Sequence, residues 1–429
     1  MKTKVYDKSY DEVMAMPRRK HQKPIKPNIL FRSLMLVASL PDIIATRFKA
    51  NKIGMERLGK NEPAFFLMNH SSFLDLEIVP TVLYPRRFNI VATTDAFIGK
   101  AWLIRQIGCI STNKFVSDMN LVRDMMHAGK KLKNSVVMFP EAGYSFDGRC
   151  VPMPDTLGKM AKMMGLPLCS IITHGAFARD PLYNNLQKRK VRVTADVKYL
   201  LSAEEVAEMP AEEIQKIIEK EFSFDNFSWQ KENKIRIKEK FRADGLNRIL
   251  YKCPHCKAEG RMVGKGITLS CPDCGKVYEM DEYGSLSAKD GKTLFDSVTA
   301  WYDWERECVR EEILRGEYEV NLDCEILMTL TDYKFYRVGE GRLHHDKGGF
   351  LLDGCEGKLH YEHKPLAAHT VNSDFFFYQM GDVVSFGNND GLYYCFPKTK
   401  EDVVCKIRFA HEEIYKLAKE EKAKAKAQA

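Results

Sequence analysis

The sequence lacks an N-terminal signal peptide and a clear membrane-spanning run. Its first apolar stretch begins only at Ile29, ends at Ala45, and is interrupted by Arg32, Pro41 and Asp42. A spanning helix needs about 20 mostly apolar residues, so we expect this stretch not to cross a bilayer and the protein not to be exported. Two interpretations stay open: a helix lying in the headgroup layer of an anionic membrane, or an amphipathic helix packed on its own domain.

The cysteines do not form the framework of a small secreted protein. The chain has 429 residues, and four of its 12 cysteines have the spacing of metal ligands, which favours a reducing cytosol. Apolar residues make up 45% and charged residues 29%, so wholesale disorder is excluded. The length predicts two or three domains in series. A net charge of +8 suits a phosphate-rich partner, either lipid or nucleic acid.

Between residues 63 and 196, short apolar runs alternate with helix-like segments. This alternation predicts an α/β domain. The runs at 64–68, 135–139 and 168–172 are continuously apolar, as expected for strands covered on both faces. Polar, glycine or proline residues follow each run, so we expect functional loops at the strand ends.

The strongest chemical signal is a histidine and an aspartate five positions apart, His70 and Asp75, just after the first of these runs. On one continuous helix they would not share a face, so a strand-to-helix turn must bring them together. Asp75 could then accept the imidazole N–H and fix the tautomer, which leaves the other nitrogen free to take a proton. Most isolated His–Asp pairs are structural, so the surrounding loops have to support this interpretation.

Two further loops provide that context. Residues 139–145 (Phe-Pro-Glu-Ala-Gly-Tyr-Ser) follow another apolar run and carry Glu141. Residues 108–114 form a glycine-containing segment that ends in Lys114, a cation suited to an anionic substrate.

In this order, the Asn-His-x-x-x-x-Asp motif, the basic-ended segment and Phe-Pro-Glu resemble the glycerol-phosphate and lysophosphatidate acyltransferases. The resemblance covers residues 50–200 and implies an O-acyltransferase of phospholipid biosynthesis. By that resemblance, the hydroxyl of a lysophospholipid attacks an acyl thioester directly, with His70 as general base and Asp75 orienting it. It predicts acyl-CoA or acyl-carrier protein as donor and 1-acylglycerol-3-phosphate as acceptor. The predicted substrate-binding residues are Asn69, Lys114, Glu141, Gly143, Tyr144 and Arg149.

The sequence departs from this family at the phosphate-binding positions. The family typically reads Phe-Pro-Glu-Gly-Thr-Arg, whereas this chain has Ala142, Gly143 and Tyr144. Lys114 likewise stands where arginine is common, and lysine lacks the planar bidentate fork. We hypothesise that Arg149 replaces the lost charge; a different lipid acceptor is the alternative.

Two Cys-x-x-Cys knuckles predict a structural zinc ribbon. Four thiolates suit one tetrahedral Zn²⁺ and leave no position open for a substrate. The flanking sequence mixes lysine and arginine with several acidic residues, so nucleic acid is not the expected partner. The predicted ligands are Cys253, Cys256, Cys271 and Cys274.

After the ribbon, a helix around 301–315 precedes strand-like segments separated by turn residues, and a helix closes the chain. This β-rich pattern is similar to pleckstrin-homology-like modules. Its five histidines invite a second metal site, but they have no matched carboxylates, and solvated or hydrogen-bonded histidines are the favoured interpretation.

The predicted organisation has six parts. They are a basic, amphipathic membrane-associating segment (1–50), an acyltransferase domain with a mixed sheet flanked by helices (51–222), a helical linker (223–249), the zinc ribbon (250–282), a β-rich domain with a closing helix (290–418) and a charged tail (419–429). We expect a cytoplasmic protein, peripheral or monotopic on the inner face of the membrane. The rival interpretations are a catalytically weak lipid-binding scaffold or sensor and, in another class, a nucleic-acid-binding protein.

Overall fold

The computed structural model describes residues 3–116 and 118–428. Met1, Lys2 and Ala429, the ends of the predicted basic segment and charged tail, lie outside the described residues, as does Ser117. The described chain contains three β-sheets. None of the described helices is long and apolar enough to cross a membrane.

The chain begins with a short strand and two helices. A capping box between Ser9 and Glu12 starts the first helix, and the side chain of Asn28 accepts a hydrogen bond from the Leu30 amide at the start of the second. These elements are β1 (Val5–Asp7), α1 (Tyr10–Met14) and α2 (Ile29–Ala45).

The next domain contains seven strands and most of the helices. Its strands are β2 (Lys49–Ile53), β3 (Phe65–Met68), β4 (Phe88–Thr93), β5 (Cys109–Thr112), β6 (Ser135–Met138), β7 (Leu168–His174) and β8 (Thr194–Leu201). Its helices are α3 (Asp75–Leu83), α4 (Ala101–Gln106), α5 (Met119–Met126), α6 (Leu157–Met164), α7 (Ala176–Arg179), α8 (Ala203–Glu208) and α9 (Ala211–Glu221).

These strands form one sheet in the order β2-β8-β7-β3-β6-β4-β5. Strands β2 and β8 are parallel to each other and antiparallel to the other five, so the predicted mixed sheet is confirmed. Every residue of β3 and β6 is buried. Alternate side chains of β3 enter opposite cores: Phe66 packs with α3, whereas Phe65 packs with α6 and α9. The continuously apolar runs of the sequence are therefore strands that are buried on both faces, as predicted.

The predicted helical linker over 223–249 is only partly helical. It contains α10 (Asn226–Glu232) and one 3₁₀ turn (Leu246–Arg248), and the residues between them are irregular. Ile237 is buried with Ala178 and Val191 of the preceding α/β domain, and its amide donates to the Glu282 carbonyl. The segment is therefore packed and hydrogen-bonded in place, which overrides the helical propensity of its Lys/Glu-rich sequence.

The cysteine-rich region forms a small antiparallel sheet in the order β12-β11-β10-β9. Helix α11 (Val298–Arg315) packs against it, because the indole of Trp301 donates to the Lys252 carbonyl and Glu305 accepts from the Lys252 amide. The strands are β9 (Val263–Lys265), β10 (Thr268–Ser270), β11 (Val277–Met280) and β12 (Leu286–Ala288).

The C-terminal region is β-rich and ends in a helix, as predicted. Its strands lie in the order β16-β15-β14-β13-β19-β18-β17, each antiparallel to its neighbours. The strands are β13 (Val320–Thr329), β14 (Phe335–Asp346), β15 (Gly349–Gly354), β16 (Leu359–His363), β17 (Asn372–Phe377), β18 (Gly381–Gly387) and β19 (Leu392–Pro397), and the helix is α12 (Val404–Gln428).

The start of the chain belongs structurally to this last region. Strand β1 pairs in parallel with β14, with Val5 opposite Phe335 and Asp7 opposite Arg337. The predicted segment 1–50 is thus divided: its first residues extend the C-terminal sheet, and α2 packs on the seven-stranded mixed sheet through Met35 and Ile43.

The C-terminal β-domain lies over the edge of the seven-stranded mixed sheet where β4, β5 and β6 end. Three aromatic pairs make this contact, each with one ring from a loop after a strand and one from the β-domain. They are Phe97–Tyr333 with ring centroids 4.9 Å apart, Phe115–His369 at 5.5 Å and Phe146–Phe375 at 4.5 Å. The loops predicted to carry function are therefore covered by another domain.

Candidate functional site

The loop after β3 brings His70 and Asp75 together. Asp75 is the first residue of α3 and is fully buried. Its Oδ2 lies 3.1 Å from His70 Nδ1 and accepts from the backbone amides of Ser71 (2.6 Å) and Ser72 (2.9 Å). The predicted strand-to-helix turn is present, and three donors converge on one carboxylate oxygen.

This arrangement selects the protonation pattern of His70. Because the carboxylate accepts from Nδ1, the neutral ring carries its proton there and Nε2 is the nitrogen that can take another. The imidazole lies between two aromatic rings, Phe139 at 4.3 Å and Tyr144 at 4.1 Å between centroids. Ring orientation is therefore fixed by packing as well as by the Asp75 hydrogen bond.

Asn69 joins two strands. Its amide donates to the Thr173 carbonyl at 3.2 Å, and its Oδ1 accepts from the Thr173 amide at 2.8 Å. With the side chain buried and engaged in this way, Asn69 fixes the end of β3 to β7, so its effect on a substrate would pass through the position of His70.

Glu141 connects the loop after β3 (residues 69–74, here called the catalytic loop for its proposed role) to the loop after β6. It is buried, and its two oxygens accept from the amides of His70 (3.1 Å) and Val151 (3.0 Å). Burial raises the pKa of Glu141 to about 8, although both amide hydrogen bonds oppose that shift. The carboxylate was predicted to bind substrate, but the structure places it between two backbone segments.

The loop that departs from the family pattern has an unusual backbone. Ala142 has a φ of 52°, in the left-handed region that favours glycine, at the position where the family has glycine. Gly143 follows. Tyr144, at the position where the family pattern has arginine, packs against the ring of His70. The amide of Ser145 donates to the His70 carbonyl at 3.0 Å, so this loop holds the catalytic loop from a second side.

Arg149 does not have the freedom that the phosphate-binding hypothesis requires. Its guanidinium makes two hydrogen bonds with Asp303 of α11, at 2.9 and 2.6 Å, and a third with Asp147 at 2.6 Å. Two carboxylates already neutralise this single cation. Its sequence position carried no sign of this, because Asp303 lies 154 residues away.

Lys114 lies at the end of β5, beside residues that the sequence analysis did not single out. Thr94 donates to Asn113 Oδ1 at 2.6 Å and so joins the loops after β4 and β5. Asp95, the next residue, is buried and accepts from the hydroxyl of Tyr378 at 3.3 Å. Asp95 follows an apolar strand and could have been proposed on that ground, whereas nothing in the sequence connects Tyr378 with this edge.

Asp374 completes this group from the β-domain. Its pKa is raised to about 7, chiefly by burial and further by Asp95, while the ammonium of Lys114 opposes the shift. The edge of the sheet around His70 therefore contains a lysine with acidic residues from two domains.

The four predicted zinc ligands converge. Their sulfur atoms lie within 4.8 Å of one another, with Cys253 and Cys274 separated by 3.7 Å and Cys256 and Cys271 by 3.6 Å. A tetrahedron with Zn–S bonds of about 2.3 Å has edges of about 3.8 Å. The group could hold a metal ion, and its separations are far too long for disulfides of about 2 Å.

Residues 49–174 match the family model described as Acyltransferase. That range runs from the first strand of the mixed sheet to the end of β7 and includes His70, Asp75, Lys114 and Glu141. No curated protein matches the chain. Among solved structures, a similar one is the crystal structure of the 1-acyl-sn-glycerophosphate (LPA) acyltransferase PlsC from Thermotoga maritima. It is 17% identical, covers 44% of this chain and 76% of that chain, and has a TM-score of 0.37.

Proposed function

We propose that the acyltransferase-family domain of this chain transfers a fatty acyl group from acyl-CoA or acyl-carrier protein to the hydroxyl of a lysophospholipid. The observation that carries this proposal is the His70–Asp75 pair, held at 3.1 Å within residues that match the family model. The same geometry in an unrelated fold would be weak evidence, because most His–Asp pairs are structural.

In the proposed reaction, His70 Nε2 takes the proton of the acceptor hydroxyl while the oxygen attacks the thioester carbonyl. The tetrahedral intermediate collapses with cleavage of the C–S bond, and the departing sulfur takes the proton from the imidazolium. Asp75 stabilises that imidazolium through Nδ1. General-base catalysis of this kind contributes about 10²- to 10⁴-fold, and the bound geometry supplies much of the rest.

The acceptor that the family resemblance predicts is 1-acylglycerol-3-phosphate. Of the two cations predicted to bind its phosphate, Arg149 is paired with Asp147 and Asp303, whereas Lys114 follows β5 and has Asp374 of the β-domain as a neighbour. The proposal therefore assigns phosphate recognition, if the acceptor has a phosphate, to Lys114 alone.

The outer face of α2 supports peripheral association with a membrane. Arg32 points inward and donates to the carbonyls of Pro85 and Arg86, so the charge that interrupts the apolar stretch does not face solvent. The outward face is apolar and exposed, up to 75% at Ile29. Its exposed residues are Ile29, Leu30, Leu34, Val37, Leu40 and Ile44.

Helix α2 packs against α3, the helix that begins at Asp75. Phe73, between His70 and Asp75 in the catalytic loop, is 52% exposed, and Trp102 of α4 is in edge contact with Phe31 of α2. An apolar surface of this kind inserts into the boundary between headgroups and acyl chains. We infer that α2 and Phe73 contact the lipid surface from which the acceptor is drawn.

Co-sedimentation with anionic vesicles tests this inference. The wild-type protein should pellet with the vesicles, whereas the double variant Leu34→Asp/Val37→Asp should stay in the supernatant.

We propose zinc as the ion held by the four cysteines, in a structural role because four thiolates leave no open position. Elemental analysis of purified protein should give one zinc per chain, and Cys271→Ser should lose it. Retention of stoichiometric zinc by that variant would contradict the assignment.

The test of function compares wild type with His70→Ala at matched folding. Each is incubated with acyl-CoA or acyl-carrier protein and a panel of lysophospholipids and neutral lipids, and products are read by mass spectrometry. A new ester that depends on His70 is the expected result. Wild-type protein that binds vesicles but forms no ester with any pair would favour the lipid-binding scaffold instead.

A further inference from the structure

The β-domain reaches the proposed catalytic site. The ring of Tyr144 lies 4.1 Å from that of His70, and Phe146, two residues further on, packs on Phe375 of the β-domain with ring centroids 4.5 Å apart. Burial is the main cause of the strongly raised pKa of Tyr144, and the carboxylates that add to the shift are Asp75, Asp374, Asp180 and Asp95. One of these four, Asp374, comes from β17 of the β-domain.

Tyr378 brings a second β-domain side chain to the same place. Its hydroxyl donates to Asp95 Oδ2 at 3.3 Å, across the junction between the domains. Tyr378 as a whole residue is 36% exposed, whereas its acceptor Asp95 is buried, so the pair runs from the surface of the junction into its interior.

The backbone that presents these residues is held in a defined shape. Phe376, Tyr378 and Gln379 have φ values of 56°, 46° and 64°, which are uncommon for residues other than glycine. The Phe376 amide donates to Asp382 Oδ1 at 2.9 Å, and the Gln379 amide donates to the Phe376 carbonyl at 2.9 Å. Such backbone strain tends to accumulate at functional sites.

The charged side chains near Tyr144 and Asp95 disfavour the binding of a phosphomonoester. Lys114 is close enough to Asp374 to lower its pKa, so the cation expected to bind phosphate faces a carboxylate. Asp95 adds a second carboxylate, Tyr144 stands where the family resemblance calls for arginine, and Arg149 is engaged by Asp147 and Asp303. A dianion placed here would meet more negative than positive charge, and like-charge contacts of this kind are strongly unfavourable.

We propose that Asp374 and Tyr378, with Asp95, form a wall of the acceptor headgroup site that selects headgroups of hydrogen-bond donors, hydroxyl or ammonium, over a phosphomonoester. This inference rests on the proposed acyltransferase function. In it, the acidic side chains accept hydrogen bonds from the headgroup, and Lys114 balances part of their charge. Asp374 and Tyr378 are thus specificity-determining residues, supplied by a domain outside residues 49–174.

The experiment compares two acceptors that differ only by the phosphate: 1-monoacylglycerol and 1-acylglycerol-3-phosphate with the same acyl chain, at equal low mole fraction in neutral detergent micelles. The full-length proteins are wild type, Asp374→Asn, Tyr378→Phe and Asp390→Asn. Asp390 is an exposed aspartate on the turn after β18, so its variant removes the same charge from the same domain outside the proposed wall.

Wild type should give a kcat/KM for 1-monoacylglycerol about tenfold or more above that for 1-acylglycerol-3-phosphate. Asp374→Asn should raise kcat/KM for the phosphate-bearing acceptor about tenfold, mainly through KM, and narrow the preference. Tyr378→Phe should change the ratio by a smaller factor and in the opposite direction, because it removes no charge and takes away the hydroxyl that donates to the Asp95 carboxylate. Asp390→Asn should leave the ratio unchanged.

A wild-type preference for 1-acylglycerol-3-phosphate that none of the variants alters would overturn this inference and leave the proposed function standing. A ratio that shifts equally in Asp390→Asn would also overturn it, since the effect would then be one of overall charge. If no ester dependent on His70 forms with either acceptor or with the wider lysophospholipid panel, both the proposed function and this inference fail.

Discussion

The acyltransferase sheet carries two His–Asp pairs at the ends of neighbouring strands. His70 Nδ1 lies 3.1 Å from Asp75 Oδ2 after β3, and His174 Nε2 lies 3.3 Å from Asp196 Oδ2 at the end of β7. Both imidazoles contact two aromatic rings, Phe139 and Tyr144 for His70, and Phe224 and Trp229 for His174. Distance and aromatic packing therefore do not distinguish a proposed base from a structural histidine.

The pairs differ in the carboxylate and in the second ring nitrogen. Asp75 is fully buried and accepts from two backbone amides, whereas the Asp196 side chain is 25% exposed and shares its other oxygen with Asn51. His174 Nδ1 is buried and, among the described residues, has no hydrogen-bond partner. A base needs one nitrogen oriented by a fixed acceptor and the other open to a hydroxyl; Asp75 meets the first requirement for His70, whereas the buried Nδ1 of His174 fails the second.

His174 is a plausible rival to His70 as the base, because it lines a cavity of about 530 Å³ together with Asp196, Lys198 and Glu221. Mutation of each histidine therefore tests the assignment.

We expect His70→Ala to lower kcat by about 10³-fold, since it removes the general base. His174→Ala should stay within about threefold of wild type. Initial rates with the best acceptor, at matched thermal midpoints, measure both. Equal losses in the two variants would mean that the wrong pair had been assigned, or that both pairs act.

The carboxylates sharpen the same contrast. Asp75→Asn should lower kcat by about 10²- to 10³-fold, because an amide can donate to Nδ1 and hold the opposite tautomer. Asp196→Asn should change it by about twofold at most. Activity of Asp75→Asn near the wild-type level would show that the carboxylate only shapes the loop.

Histidines without any carboxylate partner extend the comparison to stability. His345, His363 and His411 are buried together in the β-domain, and burial lowers the pKa of His363 to about 4 and of His411 to about 3. The unfolded chain binds these protons near pH 6.5, whereas the folded chain does so only near pH 3 to 4. Stability is therefore present above pH 6.5 and is lost as the pH falls below it.

We expect His411→Gln to reduce the slope of unfolding free energy against pH by up to about 1.4 kcal/mol per pH unit between pH 6.5 and 5. Glutamine can still donate to the Ala368 carbonyl, as His411 Nε2 does. Urea unfolding at several pH values measures the slope. His360→Gln is the matched control, because His360 is exposed and paired with Asp353; it should leave this acid-induced loss in place.

The smallest expected effect concerns Thr173, which lies between the two pairs. Its hydroxyl is 3.1 Å from Asn69 Oδ1 and 3.4 Å from Asp75 Oδ1 and can donate to one of them. Thr173→Val keeps the shape and removes that donor, so we expect kcat to fall about three- to tenfold. KM for the acceptor should change little, since Thr173 lies behind the catalytic loop; a large change in KM alone would contradict this role.

The sequence was informative wherever a few neighbouring residues determine the result. The knuckle spacing located the four converging cysteines, and the apolar runs located the buried strands β3, β6 and β7. The turn that joins His70 to Asp75 followed from their separation alone. The charges within 29–45 correctly predicted that this stretch is not a spanning helix, but the sequence does not show that Arg32 points inward.

What could not be predicted depends on partners far along the chain. Arg149 looked available because Asp303 comes from α11. Asp374 and Tyr378 looked like parts of a separate β-domain because nothing local shows that this domain covers the catalytic edge. The 3-residue strand β1 is too short to recognise without its partner. In each case a long-range contact outweighs the local pattern.

The pairing of β1 with β14 has a consequence for synthesis. Asp7 and its partner Arg337 are 330 residues apart, so β1 leaves the ribosome long before the strand with which it pairs. At about 5–20 residues per second, that delay is roughly 15 to 65 seconds. During this time the seven-stranded sheet can form while β1 has no partner. The pairing of β1 is therefore a late step, and a bulky fusion placed directly before Val5 would interfere with it.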